Sequence, residues 1–97
     1  MPHVTTIKVR FSELDPYAHV NHAAYVTYFE VARTEALESI DASLEDVAAM
    51  GIQFVVTEIV VKFKKPAVGG DVLEVDTWIG EVGRASTRWS QQIRRGD

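Results

Sequence analysis

The sequence of 97 residues contains no cysteine. Disulfide bridges, thiolate metal sites and a cysteine nucleophile are therefore excluded, and the chain is compatible with a reducing compartment. No segment approaches the ~20 consecutive apolar residues that a membrane-spanning helix needs, and the first residues lack the basic and then apolar pattern of a secretory signal. From these absences we expect a cytoplasmic protein that does not bind membranes.

Positive charge is also scarce. Ten Lys and Arg face 14 Asp and Glu, which gives a formal net charge of −4 and argues against a general nucleic-acid-binding protein. The chain is 46% hydrophobic and 25% charged, as in ordinary globular proteins. A chain this short buries only about 60 to 65% of its unfolded surface, so we expect a single domain over residues 1–97 whose monomer is only marginally stable.

The order of the hydrophobic patterns predicts an α+β fold. Residues 5–11 alternate as a half-buried strand, with Thr5, Ile7, Val9 and Phe11 on one side. Residues 12–21 are rich in turn formers and predict a loop. A long helix with Asn21 as its N-cap is expected from about residue 22 to residue 40, followed by a shorter helix at about 43–50. The predicted apolar face of the long helix comprises Tyr25, Tyr28, Phe29, Ala32, Ala36 and Ile40.

Residues 53–65, 72–82 and 85–94 alternate as strands, separated by turn signals. In the first, Ile59, Val61 and Phe63 share one face; in the last, Trp89 and Ile93 lie opposite Arg88 and Arg94. One strand, a long helix and then a run of strands indicate an antiparallel β-sheet wrapped around one long α-helix.

The residues with catalytic chemistry concentrate in the loop. Asp15, His19, Asn21 and His22 lie just before or at the start of the long helix. A helix N-terminus offers unpaired N–H groups and a positive dipole end, which suit a polarised carbonyl, and a carboxylate beside it could attack or activate water.

Each loop residue also has a structural interpretation. Asp15 could initiate the turn at Pro16, Asn21 could act as a helix cap, His19 could pack the loop or orient the acid, and His22 could contribute its backbone more than its ring. Although Asp15, His19 and His22 have ligand chemistry, their spacing fits no common zinc pattern, so we predict no metal site. There is also no Gly-x-Ser-x-Gly motif of a serine hydrolase.

Three segments carry a resemblance to a known family. Residues 7–33 (IKVRFSELDPYAHVNHAAYVTYFEVAR), 51–56 (GIQFVV) and 63–71 (FKKPAVGGD) resemble the 4-hydroxybenzoyl-CoA thioesterase-like superfamily, and are especially similar to its bacterial long-chain acyl-CoA thioesterases. The resemblance covers nearly the whole chain. It implies a hotdog fold, active sites at a dimer interface and, here, a homodimer or homotetramer.

The resemblance also implies the reaction and its residues. The activity is hydrolysis of acyl-CoA without a cofactor, with Asp15 as nucleophile or general base, His19 beside it, and the backbone N–H near His22 polarising the thioester carbonyl. Medium to long fatty or aromatic acyl groups are expected, because apolar side chains follow the loop. The expected substrate-binding residues are Asn21, Tyr25, Phe29, Phe54, Val56, Lys64, Arg84, Ser86 and Arg88.

Two expectations concern the extent of the domain and an alternative function. Family members continue past the position of Asp97 with a further strand, so we expect a C-terminally truncated domain that lacks the last strand. The basic residues, including Lys62, Lys65 and Arg88, could bind coenzyme A phosphates or form an ordinary solvated face. The alternative to catalysis is a non-catalytic acyl-CoA or acyl-carrier binding module, or an inactive truncated relative.

Overall fold

A computed structural model describes residues 2–40, 49, 56, 58–82 and 87–95. Within these residues the chain forms β1 (His3–Lys8), a short 3₁₀ turn (Phe11–Glu13), α1 (His22–Glu38), β2 (Val72–Val82) and β3 (Thr87–Arg94). The α+β prediction is confirmed. The shorter helix expected at 43–50 lies outside the described residues apart from Ala49, which is helical.

The three strands form one antiparallel sheet in the order β1-β2-β3. The register pairs Thr5 with Val75 and Val75 in turn with Ile93, so residues of all three strands share the face that α1 covers. Thr5, Leu73 and Val75 are fully buried there, and Ile93 packs against the same core. α1 thus packs on this face of the sheet.

α1 begins where the sequence predicts. The Asn21 side chain accepts a hydrogen bond from the backbone N–H of Ala24, as an N-cap does. The helix ends at Glu38, and the Ser39 N–H bonds back to the helix carbonyls, so Ile40 lies beyond the helix and is 60% exposed rather than part of its apolar face. The buried positions are either adjacent or three to four residues apart, as on one face of a helix: Ala24, Tyr25, Tyr28, Ala32, Ala36 and Leu37.

The prediction that the first strand reaches Phe11 is wrong. β1 ends at Lys8, and Phe11 is 90% exposed. The cause is a local hydrogen-bonded turn, in which the Glu13 N–H donates to the Arg10 carbonyl and the Arg10 N–H donates to the Glu13 carboxylate. This turn takes the chain out of the extended conformation before Phe11, so the alternating pattern stops at Val9.

The strand predicted at 53–65 is not formed in its described part, residues 58–65. Ile59, Val60 and Phe63 are exposed and Val61 is half-buried. An alternating sequence predicts which face of a strand each side chain would occupy. A strand forms, however, only where its backbone is hydrogen-bonded to a neighbouring strand. Among the described residues the sheet consists of β1, β2 and β3, and residues 58–65 are not one of its strands. The strand predicted at 72–82 is confirmed, and so is the described part of the strand predicted at 85–94, whose residues 85 and 86 lie outside the described residues.

Gly80 lies at an irregularity between β2 and β3, where the register shifts between Ile79 and Val82. A Cβ atom at Gly80 would lie 2.5 Å from the backbone oxygen of Arg88, whereas one at Gly69 would meet only the end of the Leu14 side chain at 3.0 Å. Backbone cannot move aside as a side chain can. Close approach therefore requires glycine at position 80.

We expect Gly80→Ala to lower the free energy of unfolding by about 1–3 kcal/mol, because the added methyl group overpacks against the β3 backbone. Gly69→Ala is the matched control, and its loss should be clearly smaller. Urea denaturation of both variants measures the difference. Equal stability of Gly80→Ala and the wild type would contradict the close contact.

Candidate active site

The predicted loop is closed on itself by hydrogen bonds around Asp15. The Asp15 N–H donates to the His19 carbonyl at 2.7 Å, and Oδ1 of Asp15 accepts from the N–H groups of Tyr17 at 2.8 Å and His19 at 3.1 Å. Leu14 and Val20 pair across the base of the loop. Ala18, with a φ of 62°, makes the tight bend that brings these ends together. The half-buried Asp15 side chain is therefore held in one orientation.

Asp15 forms the turn that its structural interpretation predicts, and it does so through one of its two carboxylate oxygens. Both hydrogen bonds of the side chain to the described residues fall on Oδ1, so the turn uses one oxygen, and Oδ2 has no hydrogen bond within this part of the chain. A turn-forming role and a chemical role are compatible in this geometry.

Asn21 joins the loop to α1. Its backbone N–H and its side-chain Nδ2 donate to the Glu13 carbonyl at 2.9 and 3.1 Å, while its Oδ1 caps Ala24. The cap satisfies the N–H of Ala24. The N–H groups of His22 and Ala23, in the first turn, have no partner within the helix and carry the positive end of its dipole.

The loop, the start of α1 and residues 63–66 enclose a cleft of ≈ 220 Å³. Five predicted site residues line it together, with Val20, Phe63, Lys65 and Pro66 completing the walls; these five are Asp15, His19, His22, Tyr25 and Lys64. Residues that are far apart in the sequence therefore meet at one place.

The remaining predicted site residues lie elsewhere. Asn21 acts beside the cleft as the helix cap, while Phe29 is half-buried on α1, Val56 is exposed, and Arg88 is exposed on β3. Phe29, Val56 and Arg88 are not among the cleft's described walls, and their contact with a substrate stays a prediction. Phe54, Arg84 and Ser86 lie outside the described residues.

Aromatic rings form one wall of the cleft. The rings of His22 and Phe63 stack with centroids 4.4 Å apart, and Tyr25 tilts against Phe63 at 5.5 Å. The Tyr25 hydroxyl accepts a hydrogen bond from the N–H of Ala67 at 3.0 Å, which joins α1 to the segment that carries Lys64 and Lys65. The sequence indicated that Phe63 belongs to an apolar face, but alternation alone does not say which residues that face meets.

Sequence reasoning missed Glu13, a buried carboxylate beside the loop. Its Oε1 accepts from the Arg10 N–H at 2.9 Å and from the Tyr28 hydroxyl at 2.8 Å, and its Oε2 accepts from Arg10 Nη2 at 3.0 Å. The available signal was the spacing of Arg10 and Glu13, which suits a capping interaction at the turn.

Burial and hydrogen bonding oppose each other at Glu13. Burial acts to raise its pKa, but hydrogen bonds from the side chain and backbone of Arg10 and from Tyr28 outweigh burial and hold the pKa below its ordinary value of 4.5. Burial and the hydrogen bond to this carboxylate together raise the pKa of Tyr28 well above its usual range. Glu13 is therefore an ionised acceptor and Tyr28 a neutral donor at physiological pH.

Within residues 2–40, 49, 56, 58–82 and 87–95, no three His, Asp or Glu side chains are grouped as metal ligands. In the same part of the chain, no helix is both long enough and apolar enough to span a membrane.

A family model described as thioesterase superfamily matches residues 17–97. The chain belongs to the thioesterase superfamily. A probable thioesterase from Bartonella henselae superposes with a TM-score of 0.95 at 27% identity, covering 100% of this chain and 82% of that one. The predicted family and hotdog fold are confirmed.

Two other relatives have a substrate or a ligand in their names. This chain is 39% identical over 89 residues to the long-chain acyl-CoA thioesterase FadM of Escherichia coli, and the match covers 92% of this chain. A Thermus thermophilus thioesterase solved with coenzyme A and Zn has a TM-score of 0.80 and 32% identity, with 95% of this chain and 66% of that one covered. The chain spans 44% to 67% of the lengths of the first three curated relatives that it matches.

The lowered pKa of Glu13 predicts a specific dependence of stability on pH. A carboxyl whose folded pKa lies below its unfolded value stabilises the fold above the unfolded pKa, and this stabilisation is lost as the pH falls through the folded pKa. We expect Glu13→Gln to be less stable than the wild type near neutral pH, and the difference to shrink as the pH falls from about 6 to about 3.

Thermal unfolding across this pH range measures the effect, with the exposed Glu30→Gln as the control. Asp71 also has a lowered pKa, caused by hydrogen bonds from the Val68 N–H and Arg95. Because Asp71 is present in every variant, its contribution to the pH dependence of stability cancels in the comparison. A difference between Glu13→Gln and the wild type that is constant with pH would refute the assignment.

Proposed function

We propose that this chain hydrolyses the thioester of acyl-CoA to a free acid and coenzyme A, with Asp15 as nucleophile or general base. The observation that carries the proposal is the shared cleft, in which Asp15 lies together with His22 at the start of α1 and with Lys64 and Lys65. A carboxylate, a helix N-terminus and cations are the groups that hydrolysis of a phosphate-bearing thioester uses.

Asp15 can bring about hydrolysis by two routes that give the same products. As a general base, Asp15 takes a proton from water, the water oxygen bonds to the acyl carbon, the C–S bond breaks and the thiolate receives the proton. As a nucleophile, Asp15 bonds to the acyl carbon and expels the thiolate, and water then cleaves the resulting anhydride. In both routes negative charge develops on the carbonyl oxygen, which the free N–H groups at the start of α1 stabilise. His19 lies beside Asp15 through its backbone bonds and keeps the carboxylate in place.

Coenzyme A recognition is proposed for Lys64 and Lys65. Both are exposed on the edge of the cleft, where ammonium groups can reach phosphates without burial. The chain carries a net negative charge, so an anionic ligand needs such a local concentration of cations. The Thermus thermophilus relative was solved in complex with coenzyme A, which supports this ligand class.

For the acyl group we propose medium to long fatty chains or aromatic groups. Val20, Tyr25 and Phe63 supply apolar surface in the cleft, and each buried methylene contributes about 0.8 kcal/mol. The similarity to the Escherichia coli long-chain acyl-CoA thioesterase supports the fatty class. The homodimer or homotetramer and the cytoplasmic location stay predictions, as does a single domain over residues 1–97.

Asp15→Asn should lower kcat by about 10²- to 10⁴-fold with little change in the thermal midpoint. The amide oxygen can still accept the N–H groups of Tyr17 and His19, so the turn survives while the chemical group is lost. Thiol release from several acyl-CoA esters measures kcat, and thermal unfolding measures stability.

The control is Asp71→Asn, the same change at a turn carboxylate outside the cleft's described walls, which should retain kcat. Unchanged turnover in Asp15→Asn would remove Asp15 from the mechanism. A wild-type chain that binds acyl-CoA without releasing thiol would favour the alternative, a non-catalytic acyl-CoA or acyl-carrier binding module.

The double substitution Lys64→Met and Lys65→Met should raise KM for acyl-CoA while leaving KM for the same acyl group on N-acetylcysteamine unchanged, because the second substrate has no phosphates. The expected increase is about 10-fold, corresponding to loss of one or two charge-assisted contacts. Lys62→Met is the control, since Lys62 is exposed on the same segment but is not a described wall of the cleft. A parallel rise for both substrates would show that the lysines act on the acyl end or on the fold.

A further inference from the structure

We infer that Glu13 is a positioning residue that fixes the distance between the Asp15 carboxylate and the N-terminus of α1. This inference rests on the proposed function, since it assigns Glu13 a role in presenting Asp15 to the thioester. Glu13 is not a described wall of the cleft, so it acts through its neighbours rather than on the substrate.

The side chain of Glu13 connects the loop to two separate parts of the fold. Through Oε1 it accepts the Arg10 N–H, which fixes the chain leaving β1, and the Tyr28 hydroxyl, which belongs to the second turn of α1. Tyr28 is only 2% exposed and packs in the core with Val9 and Ala24. The carboxylate is thus anchored to a buried position of the helix.

The backbone of Glu13 makes the second connection. Its carbonyl accepts both the backbone N–H and the side-chain Nδ2 of Asn21, the residue that caps α1. Residues 13 and 21 are therefore the two ends of the loop that carries Asp15. With both ends fixed and the loop closed internally between Asp15 and His19, little freedom remains in the position of the carboxylate.

The positioning depends on an acceptor oxygen more than on charge. The two bonds that hold the backbone and α1 both use Oε1, whereas the ion pair uses Oε2 and an Arg10 side chain that is 74% exposed. Exposed ion pairs contribute little because water competes for them. A glutamine at this position keeps the acceptor, and an alanine removes it.

The experiment compares Glu13→Gln, Glu13→Ala and Tyr28→Phe by kcat and KM for a long-chain acyl-CoA, well below each thermal midpoint. Glu13→Ala should lower kcat by about 10- to 100-fold with KM little changed, because displacement of a catalytic group by about 1 Å has effects of this size. Glu13→Gln should keep kcat close to that of the wild type. Tyr28→Phe, which removes one of the two anchors, should lie between them.

Val75→Ala is the control for stability, since Val75 is fully buried in β2 and is not a described wall of the cleft. We expect it to lower the thermal midpoint and to retain kcat. If Glu13→Ala loses kcat no more than Val75→Ala does, or if Glu13→Gln loses as much as Glu13→Ala, the positioning role is overturned. If Glu13→Ala does not fold, a Tyr28→Phe kcat equal to the wild type overturns it.

A readout independent of turnover separates this inference from the proposed function. Hydrogen exchange of the Tyr17 and His19 amides, both of which donate to Asp15, should accelerate in Glu13→Ala and Tyr28→Phe and stay slow in Glu13→Gln and Val75→Ala. A wild-type chain without thiol release would refute the proposed function alone. Unchanged exchange of these amides in both Glu13→Ala and Tyr28→Phe would refute the role of Glu13 alone.

Discussion

The hydrogen bonds between Glu13 and Asn21 are the constraint on which the candidate site depends. They join the segment after β1 to the first turn of α1, and they bring together two residues that are eight positions apart. Within the described residues, the loop is also held by the Glu13 side chain, which accepts from Arg10 and Tyr28, and by short bridges within the loop and to Ala67 and Val68. The link also orients the Asn21 cap, because the amide that donates to Glu13 leaves its oxygen to accept from Ala24.

The loop shows how the same groups can serve folding and chemistry. Asp15 uses one oxygen to close a turn, and the Asn21 cap satisfies the N–H of Ala24, while the N–H groups of His22 and Ala23 have no partner within the helix. A group held by such bonds needs no reorganisation when a substrate arrives, which is how a preorganised site lowers a reaction barrier. In the proposed mechanism, the groups that act at the thioester are therefore among those that also hold the loop.

The sheet contributes by position rather than by chemistry. β2, paired on both sides, holds the buried floor on which α1 lies. The turn before β2 carries Ala67 and Val68, whose backbone groups bond to Val20, Tyr25 and His19. These bonds hold the lysine-bearing segment beside the loop and α1, and the cleft lies between them.

The sequence by itself determined much of the local structure. The start of α1, its Asn21 cap, the loop, and the strands at 72–82 and 87–94 follow from periodicity and turn chemistry, which act over a few residues. The same local signals also indicated Asp15, His19 and His22, because polar groups beside a helix start are readable without a fold. Their catalytic roles remain proposals.

Only the tertiary structure decided which distant groups meet. Phe11 lies outside β1 because Arg10 and Glu13 form a hydrogen-bonded turn there, and residues 58–65 alternate in sequence without forming a strand of the β1-β2-β3 sheet. Glu13 meets Tyr28, and Phe63 meets His22, across 15 and 41 positions of sequence. Periodicity tells which face of an element is apolar, but the partner of that face is set by packing between elements, which no local pattern encodes.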